Sequence, residues 1–167
     1  GNDFADIACN ESWKKKAKTD LGLDSDIPVL LFVGQQIWEK NVSLILNTLA
    51  HLHHRRFIMF FIGDGYARKT MMRKARELHL MPEEDLNKTG LVQFKGTIYD
   101  RSVLRKYYLA ADLFLFPSLY DNAPLVVREA AAMQVPSVMI LNSTASSLLF
   151  AEVNVFLSSY DIRVSFQ

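Results

Sequence analysis

Two carboxylates, Asp121 and Glu129, stand eight positions apart in the segment whose residue types most clearly suit chemistry. They follow an apolar run over residues 112–117, which predicts a buried strand, and they flank Pro124, a residue favoured at the first position of a helix. A helix that starts there, capped by Asp121 or Asn122, directs free backbone N–H groups and a positive dipole end toward the strand tip. Such an end suits phosphate, and the carboxylates beside it suit sugar hydroxyls.

Apolar runs that alternate with helical patterns must position this segment. Strands are predicted over residues 29–33, 57–62, 91–94, 112–116, 136–141 and 153–157. Helices are predicted over residues 11–21, with Gly22 as the stop, over 40–52, 69–80 and 100–111, from Pro124 onward, and over 143–151. Near-continuous apolar strands separated by helices indicate a parallel sheet covered on both faces. We therefore expect an α/β fold, a Rossmann-like doubly wound parallel sheet of about six strands.

Two of the predicted helices show which residues should enter the core. The buried face of the helix over 40–52 is predicted to consist of Leu44, Ile45, Leu49 and Leu52. In the helix over 69–80 the packing residues are predicted to be Met72, Ala75 and residues 78–80.

Composition limits the class of protein. The 167 residues are 50% hydrophobic, which is enough for one compact domain, and a net charge of +1 argues against a nucleic-acid binder. The basic clusters at 14–16 and 53–56 suit solvated helix faces or ends, with a membrane-surface role as the alternative. A single cysteine, Cys9, excludes an internal disulfide. No apolar run reaches the roughly 18 residues of a membrane span, and no signal-peptide pattern is present. We expect a cytoplasmic protein, with contact to the inner face of the membrane as an alternative.

Three motifs carry a resemblance to a known family. Residues 118–130 read SLYDNAPLVVREA, residues 31–41 read LFVGQQIWEKN, and residues 61–65 read FIGDG. In order and spacing they resemble, respectively, the acidic-x7-acidic signature, the F-V-G-R…E-K-G segment and the V-G-D-G segment of retaining glycosyltransferases of the GT-B type, family 4. The resemblance covers about residues 28–157 and is to the C-terminal, donor-binding half of those enzymes.

The resemblance implies roles for individual residues. Lys40 would neutralise the diphosphate of the donor, Glu129 would accept hydrogen bonds from the ribose hydroxyls, and Asp121 would lie near the donor sugar. These three are the expected catalytic residues. The other expected donor-binding residues are Gly34, Gln35, Gly96, Thr97, Ile98, Asn122, Ala123, Pro124, Leu125 and Val126. No cofactor and no metal are expected, because GT-B enzymes resemble one another in using a helix end and basic side chains in place of a bound metal.

The chain departs from the family pattern at several positions. Gln35 stands where the family has an arginine, so one of two expected positive charges is missing. Asp121 is one methylene shorter than the usual glutamate. The segment that contains Ser147 lacks the glutamate often found there, and Val155 replaces the glycine that commonly follows Asn154.

Each candidate also has a simpler interpretation. Gly34 suits an ordinary turn after a strand, and Lys40 suits the exposed first turn of a helix. Asp121 suits a helix cap. Glu129 could be a surface glutamate paired with Arg128 or Arg101.

Two other motifs do not support a site. The histidines at positions 51, 53 and 54 end a helix and lack a second group at metal-ligand spacing, so we expect no metal there. The turn at 63–65 falls short of the dinucleotide glycine fingerprint, which argues against NAD binding.

The resemblance implies a donor-binding domain of an enzyme that transfers a sugar from a nucleoside-diphosphate sugar, such as a UDP- or GDP-sugar, to an acceptor hydroxyl, in polysaccharide or glycoconjugate synthesis. Residues 1–26 are predicted to form a linker and first helix, and residues 27–167 the donor domain. The N-terminal acceptor domain would be absent, which leaves this fragment inactive by itself. One alternative is a non-catalytic nucleotide-binding or regulatory domain, favoured by Gln35, Ser147 and Val155. The other is a structural interaction module without a ligand at the Asp121 loop.

Overall fold

A computed structural model of the chain describes residues 11–81, 91–121, 125–141, 143, 144 and 146, and the backbone of 154–157. The helices are α1 (Glu11–Asp20), α2 (Val42–Ala50), α3 (Arg68–Glu77), α4 (Arg101–Ala110) and α5 (Leu125–Ala132). The strands are β1 (Val29–Val33), β2 (Ile58–Ile62), β3 (Val92–Gly96), β4 (Leu113–Phe116), β5 (Ser137–Ile140) and β6 (Asn154–Leu157). A short 3-10 turn, Trp38–Lys40, precedes α2.

The six strands form one sheet in the order β3-β2-β1-β4-β5-β6, and every described pairing is parallel. Alternate residues of β1 point to opposite faces. Leu31 and Val33 join a core cluster with residues of α1, α4 and α5, whereas Phe32 packs in a second cluster with residues of α2 and α3. The sheet is covered on both faces, which confirms the predicted doubly wound fold.

The strand order creates one point in the sheet where the chain reverses its direction of winding. From β1 the chain passes through α2 to β2 on one side, and from β4 it passes through α5 to β5 on the other. Strands β1 and β4 are direct neighbours, with Leu30 opposite Leu113 and Leu31 opposite Phe114. In open α/β sheets the crevice at the carboxyl ends of two such strands is the preferred ligand site. The loops after β1 and β4 contain residues 34–41 and 117–121, which include Lys40 and Asp121.

The α2 region differs from the predicted helix over 40–52. The helix begins at Val42, after Asn41 at φ 53°, and it ends at Ala50. Its buried face consists of Val42, Ile45, Leu46 and Leu49. The predictions for Leu44 and Leu52 were wrong: Leu44 is half-buried, and Leu52 is exposed because the helix has ended before it.

Two smaller differences concern α3 and β3. In α3 the fully buried methionine is Met71, while Met72 is half-buried. Leu80 is buried as predicted, although it lies beyond the helix end at Glu77. Strand β3 continues to Gly96, two residues past the predicted end. Most of the helix predicted over 143–151 lies outside the described residues.

Helix α1 is joined to the sheet by a buried ion pair. Lys18 is only 4% exposed, and its ammonium donates to Asp112 Oδ2 at 2.7 Å and to the Ile27 carbonyl at 2.8 Å. The same carboxylate oxygen accepts the Val29 N–H at 2.9 Å, and Lys14 lies 3.1 Å from the other oxygen. Asp112 therefore connects α1 to the start of β1 and of β4.

Asp112→Asn is expected to destabilise the chain by about 2 kcal/mol at neutral pH, because it leaves the buried Lys18 ammonium without a charged partner. The cost is smaller than for a fully buried pair because Asp112 is partly exposed to solvent. Burial of the carboxyl raises its pKa, but the hydrogen bonds from Lys18 and the Val29 N–H outweigh that effect, so the pKa of Asp112 lies below 3.8. A lowered folded-state pKa contributes stability that is present above the unfolded-state value and is lost as the pH falls through the folded-state value.

Urea denaturation between neutral pH and about pH 3 measures both effects, since that range crosses the ordinary carboxyl pKa. The wild type should lose this stability on acidification and the variant should not. Asp20→Asn is the matched control, since Asp20 pairs with Lys16 on the exposed side of the same helix at 3.3 Å and should contribute at most about 0.5 kcal/mol. Equal effects of the two variants would contradict the prediction.

Candidate functional site

Three loops at the carboxyl edge of the sheet are held together by their own backbones. The Gly34 N–H donates to the Ile62 carbonyl at 3.0 Å, and the Gly63 N–H donates to the Gly96 carbonyl at 2.7 Å. A Cβ on Gly63 would lie 2.1 Å from the Gly34 carbonyl oxygen, so only glycine fits there. The loops that follow β1, β2 and β3 therefore form one connected rim.

Gln36 fastens this rim from the inside. Its backbone N–H donates to the Asp64 carbonyl at 2.9 Å, and its side-chain amide donates to the Gly63 carbonyl at 2.8 Å. Gln36 is fully buried, whereas Gln35, the predicted site residue, is exposed next to it. The sequence alone did not indicate Gln36, because two adjacent glutamines carry no signal that distinguishes the buried one.

Lys40 and Asp121 meet across the crevice between β1 and β4. Lys40 is the last residue of the 3-10 turn and precedes α2, so it does not occupy the first turn of that helix. Its Nζ lies 2.5 Å from Asp121 Oδ2 and 6.0 Å from the centroid of the Phe116 ring. About a fifth of each charged side chain is exposed, 22% for Lys40 and 21% for Asp121. The predicted cation and the first predicted carboxylate thus share one site.

A threonine from the segment after β5 orders the Asp121 loop. The Asp121 N–H donates to Thr144 Oγ1 at 2.7 Å, and the Thr144 N–H donates to the Leu119 carbonyl at 3.0 Å. The segment after β5 therefore holds the loop after β4 in place. In the sequence the serine- and threonine-rich run at 143–147 stood out only as a departure from the family, and a hydroxyl there was the one signal that could have indicated this contact.

Glu129, in α5, is held by two donors from α4. Its Oε1 lies 3.0 Å from an Arg101 guanidinium nitrogen, and its Oε2 accepts a hydrogen bond from the Tyr108 hydroxyl at 3.0 Å. The simpler interpretation of Glu129 was therefore right about Arg101 as a partner. It was wrong about exposure, because only 16% of the Glu129 side chain is accessible, while Arg128 is exposed. The sequence alone did not indicate Tyr108, whose place in an apolar run gave no sign of a polar contact.

The remaining predicted residues lie at the same edge of the sheet or outside the described chain. Leu125 and Val126 begin α5, the first exposed and the second half-buried. Asn122, Ala123 and Pro124 lie outside the described residues. Thr97 is exposed beyond the end of β3, and Ile98 packs on the core cluster of α4 and α5. Because β2 lies between β3 and β1 in the sheet, these two strands are two strand spacings apart, about 10 Å.

The part of the chain that the structure describes offers no group of three or more histidine, cysteine, aspartate or glutamate side chains that could hold a metal ion. Within the same ranges, none of the helices has the length and apolar character needed to cross a bilayer. The described site residues are the ion pair of Lys40 with Asp121 between the loops after β1 and β4, the start of α5, and Glu129 one turn along α5. A cation, a helix start and carboxylates together suit an anionic ligand that also carries hydroxyl groups.

Comparison with known proteins identifies relatives of the chain. It is 32% identical over 139 residues to TuaC of Bacillus subtilis, which is named as a teichuronic acid biosynthesis glycosyltransferase, and the match covers 83% of this chain and 31% of that protein. The chain spans about a third of the length of the first curated relatives it matches.

Solved structures share the fold. The C-terminal domain of a glycosyl transferase group 1 family protein (LpcC) from Francisella tularensis superposes with a TM-score of 0.71 at 16% identity, over 96% of this chain and 81% of that one. HepE of Anabaena, solved in complex with UDP-glucose, superposes with a TM-score of 0.69 at 22% identity, over 89% of this chain and 39% of that one.

The family profile described as glycosyl transferases group 1 matches residues 27–160, which include all six strands and every residue of the candidate site. This match agrees with the three motifs in the sequence, and the fold agrees with the expected GT-B type. The chain belongs to the glycosyl transferases group 1 family.

Proposed function

We propose that this chain binds the nucleoside-diphosphate-sugar donor of a retaining glycosyltransferase in the crevice between β1 and β4. The observation that carries the proposal is the meeting of Lys40 and Asp121 at 2.5 Å, although 81 positions separate them in the sequence. Their pairing brings a cation and a carboxylate to the point in the sheet where ligands of this fold class bind.

Each part of the donor molecule can be assigned to particular residues of the proposed site. Lys40 and the first backbone N–H groups of α5, those of Leu125 and Val126, would hold the diphosphate, because a compact cation and a helix N-terminus both favour phosphate charge. Asp121 would accept hydrogen bonds from the sugar, and Glu129 from the ribose. The loop with Gly96, Thr97 and Ile98 would lie beside the base. Asn122, Ala123 and Pro124 would complete the anion site, and Gln35 and Gly34 would border it.

The proposed reaction breaks the bond between the anomeric carbon of the sugar and the terminal phosphate oxygen, and it joins that carbon to the acceptor oxygen on the same face. The acceptor proton passes to the leaving diphosphate. Negative charge grows on that diphosphate as the bond breaks, so Lys40 and the start of α5 stabilise the transition state more than the ground state. Asp121 and Glu129 position the donor, and no covalent sugar–enzyme intermediate is required.

The relatives support this assignment. TuaC is named for teichuronic acid biosynthesis, and HepE was solved with UDP-glucose. We infer that residues 27–160 correspond to the donor-binding domain and that an acceptor domain completes the enzyme. A cytoplasmic role in polysaccharide or glycoconjugate synthesis, beside the inner face of the membrane, is the cellular setting that we propose.

Titration calorimetry with UDP, GDP, ADP and their sugar conjugates tests the proposal. One nucleotide should bind selectively, and Glu129→Ala should weaken it by about 30-fold, because a charged acceptor for the ribose hydroxyls contributes roughly 2 kcal/mol. Glu77→Ala is the matched control, since Glu77 also lies on a helix beside an arginine, Arg73, at 3.9 Å and is remote from the crevice. Absence of binding by every probe, or equal effects of the two variants, would overturn the proposed site.

Asp121→Asn is expected to strengthen the binding of a free nucleoside diphosphate about fivefold and to reduce the advantage of the sugar conjugate over it. The carboxylate competes with phosphate for Lys40, and a part-buried pair of this kind contributes roughly 1 kcal/mol. Calorimetry with UDP and UDP-glucose, or with the nucleotide selected above, measures both quantities. Asp64→Asn is the control for general charge effects, since Asp64 is an exposed carboxylate at the same sheet edge. If both variants strengthen binding equally, the competition does not exist.

A nucleotide-binding domain that does not support transfer is the second candidate, and the exposed Gln35 favours it because the crevice has one cation fewer than the family pattern. Nucleotide binding with no distinction between the free diphosphate and its sugar conjugates would favour this candidate over the transferase.

A further inference from the structure

Tyr108 stands out as a buried polar group that the donor contacts do not use. It lies in α4 with no exposed surface, and its ring lies 5.9 Å from the Phe114 ring of β4. Its hydroxyl reaches the first turns of α5, where it lies 3.0 Å from Glu129 Oε2 and 3.4 Å from the Val126 carbonyl oxygen. A side chain packed on all sides has a single rotamer, so its hydroxyl is a fixed point in the site.

In the hydrogen bond between Tyr108 and Glu129, the Tyr108 hydroxyl is the donor and the carboxylate is the acceptor. Burial, together with the negative charge of Glu129, raises the pKa of Tyr108 far above its usual value, so the phenol stays protonated. A hydrogen bond from a neutral donor to a carboxylate is charge-assisted and directional. It therefore defines the orientation of the carboxylate about its last side-chain bond.

The second partner of Glu129 completes the orientation but cannot provide it alone. Arg101 approaches the other oxygen at 3.0 Å, yet half of its side chain is exposed and it carries several rotatable bonds. With one donor on each oxygen, a carboxylate still has one further acceptor site on each. Two parallel acceptor sites match the two neighbouring hydroxyls of a ribose.

We propose that Tyr108 is a positioning residue that holds the Glu129 carboxylate in the orientation needed to recognise the ribose diol of the donor. This inference rests on the proposed function of Glu129. It assigns to Tyr108 a part in selecting ribonucleotides over 2′-deoxyribonucleotides, although Tyr108 itself touches no part of the donor. The gain comes from preorganisation, because a carboxylate already held in place loses little freedom when the diol binds.

Tyr108→Phe tests the proposal, because it removes one oxygen and keeps the ring in its packing site. The readout is the ratio of dissociation constants for UDP, GDP and ADP against their 2′-deoxy counterparts, measured by calorimetry, together with the affinity for inorganic pyrophosphate. We expect the variant to reduce the preference for ribose about tenfold, which corresponds to the loss of one charge-assisted hydrogen bond, and to leave pyrophosphate binding unchanged.

Tyr107→Phe is the matched control. Tyr107 precedes Tyr108 in α4, and its ring packs edge-on against Phe60 of β2, with centroids 5.0 Å apart, whereas the Tyr108 ring lies near Phe114 of β4. This variant removes a phenol from the same helix and should leave the ratio at its wild-type value. Equal changes in the two variants would mean that the ratio responds to a general loosening of α4, and would overturn the proposal.

The remaining outcomes separate this inference from the function beneath it. If Glu129→Ala removes the preference for ribose and Tyr108→Phe does not, Glu129 recognises ribose without help and the positioning role is wrong. If Tyr108→Phe weakens ribonucleotides, deoxyribonucleotides and pyrophosphate by one common factor, Tyr108 is structural only. If the wild-type chain binds none of the nucleotides, the proposed function fails, and the role of Tyr108 fails with it.

Discussion

Lys40→Met is expected to weaken the binding of a nucleoside diphosphate by about 100-fold, because a charge-assisted contact to phosphate in a partly buried crevice contributes up to roughly 3 kcal/mol. Methionine keeps the unbranched stem and removes only the charge. Lys40 Nζ lies above the Phe116 ring with a fifth of its surface exposed, so solvent screens it less than a surface lysine. Because this chain has Gln35 where the family pattern has an arginine, that position provides no second positive charge for the phosphates.

The measurement is a pair of titrations, one with the diphosphate and one with the corresponding nucleoside. The loss should appear with the diphosphate and be absent with the nucleoside, since the proposed contact of Lys40 is with phosphate alone. Lys69→Met provides the matched control, because Lys69 is an exposed lysine in α3. A variant that binds the diphosphate and the nucleoside with wild-type affinity would remove Lys40 from the site.

Gly63→Ala is expected to cost more than about 4 kcal/mol of folding free energy, an exceptional loss for a single substitution, because the new methyl group would meet a rigid obstacle. The new Cβ would lie 2.1 Å from the Gly34 carbonyl oxygen and 2.9 Å from its carbon, and Gly63 has a φ of 120°. Neither loop can move aside easily, because backbone hydrogen bonds join Gly34 to Ile62 and Gly63 to Gly96. Domains of this size have only about 5–15 kcal/mol of stability, so the variant should be close to unfolding.

Gly22→Ala separates backbone strain from collision. Gly22 also has a positive φ, 73°, but no atom lies within 4 Å of the position that a Cβ would occupy there, so alanine should cost only about 1 kcal/mol. Urea denaturation of the two variants measures the difference. A Gly63→Ala chain as stable as Gly22→Ala would contradict the close contact between the loops after β1 and β2.

The kind and order of the elements could be predicted from the sequence with few errors. Runs such as Val29–Val33 are apolar at every position, and a strand covered on both faces is the simplest way to bury them. Helix boundaries were predicted less accurately, because α2 begins only after Asn41 adopts a left-handed conformation, which no hydrophobic pattern reveals. That shift turned the buried face toward Val42 and Leu46 and left Leu52 in solvent.

The sequence by itself also indicated the candidate site residues, since Lys40, Asp121 and Glu129 stand in short motifs whose spacing is local. Only the tertiary structure decided how they meet. The contact of Lys40 with Asp121 requires β1 and β4 to be neighbours, and that of Tyr108 with Glu129 joins two helices across 21 positions. Hydrophobic periodicity encodes secondary structure because it depends on near neighbours, whereas strand order depends on the packing of the whole sheet.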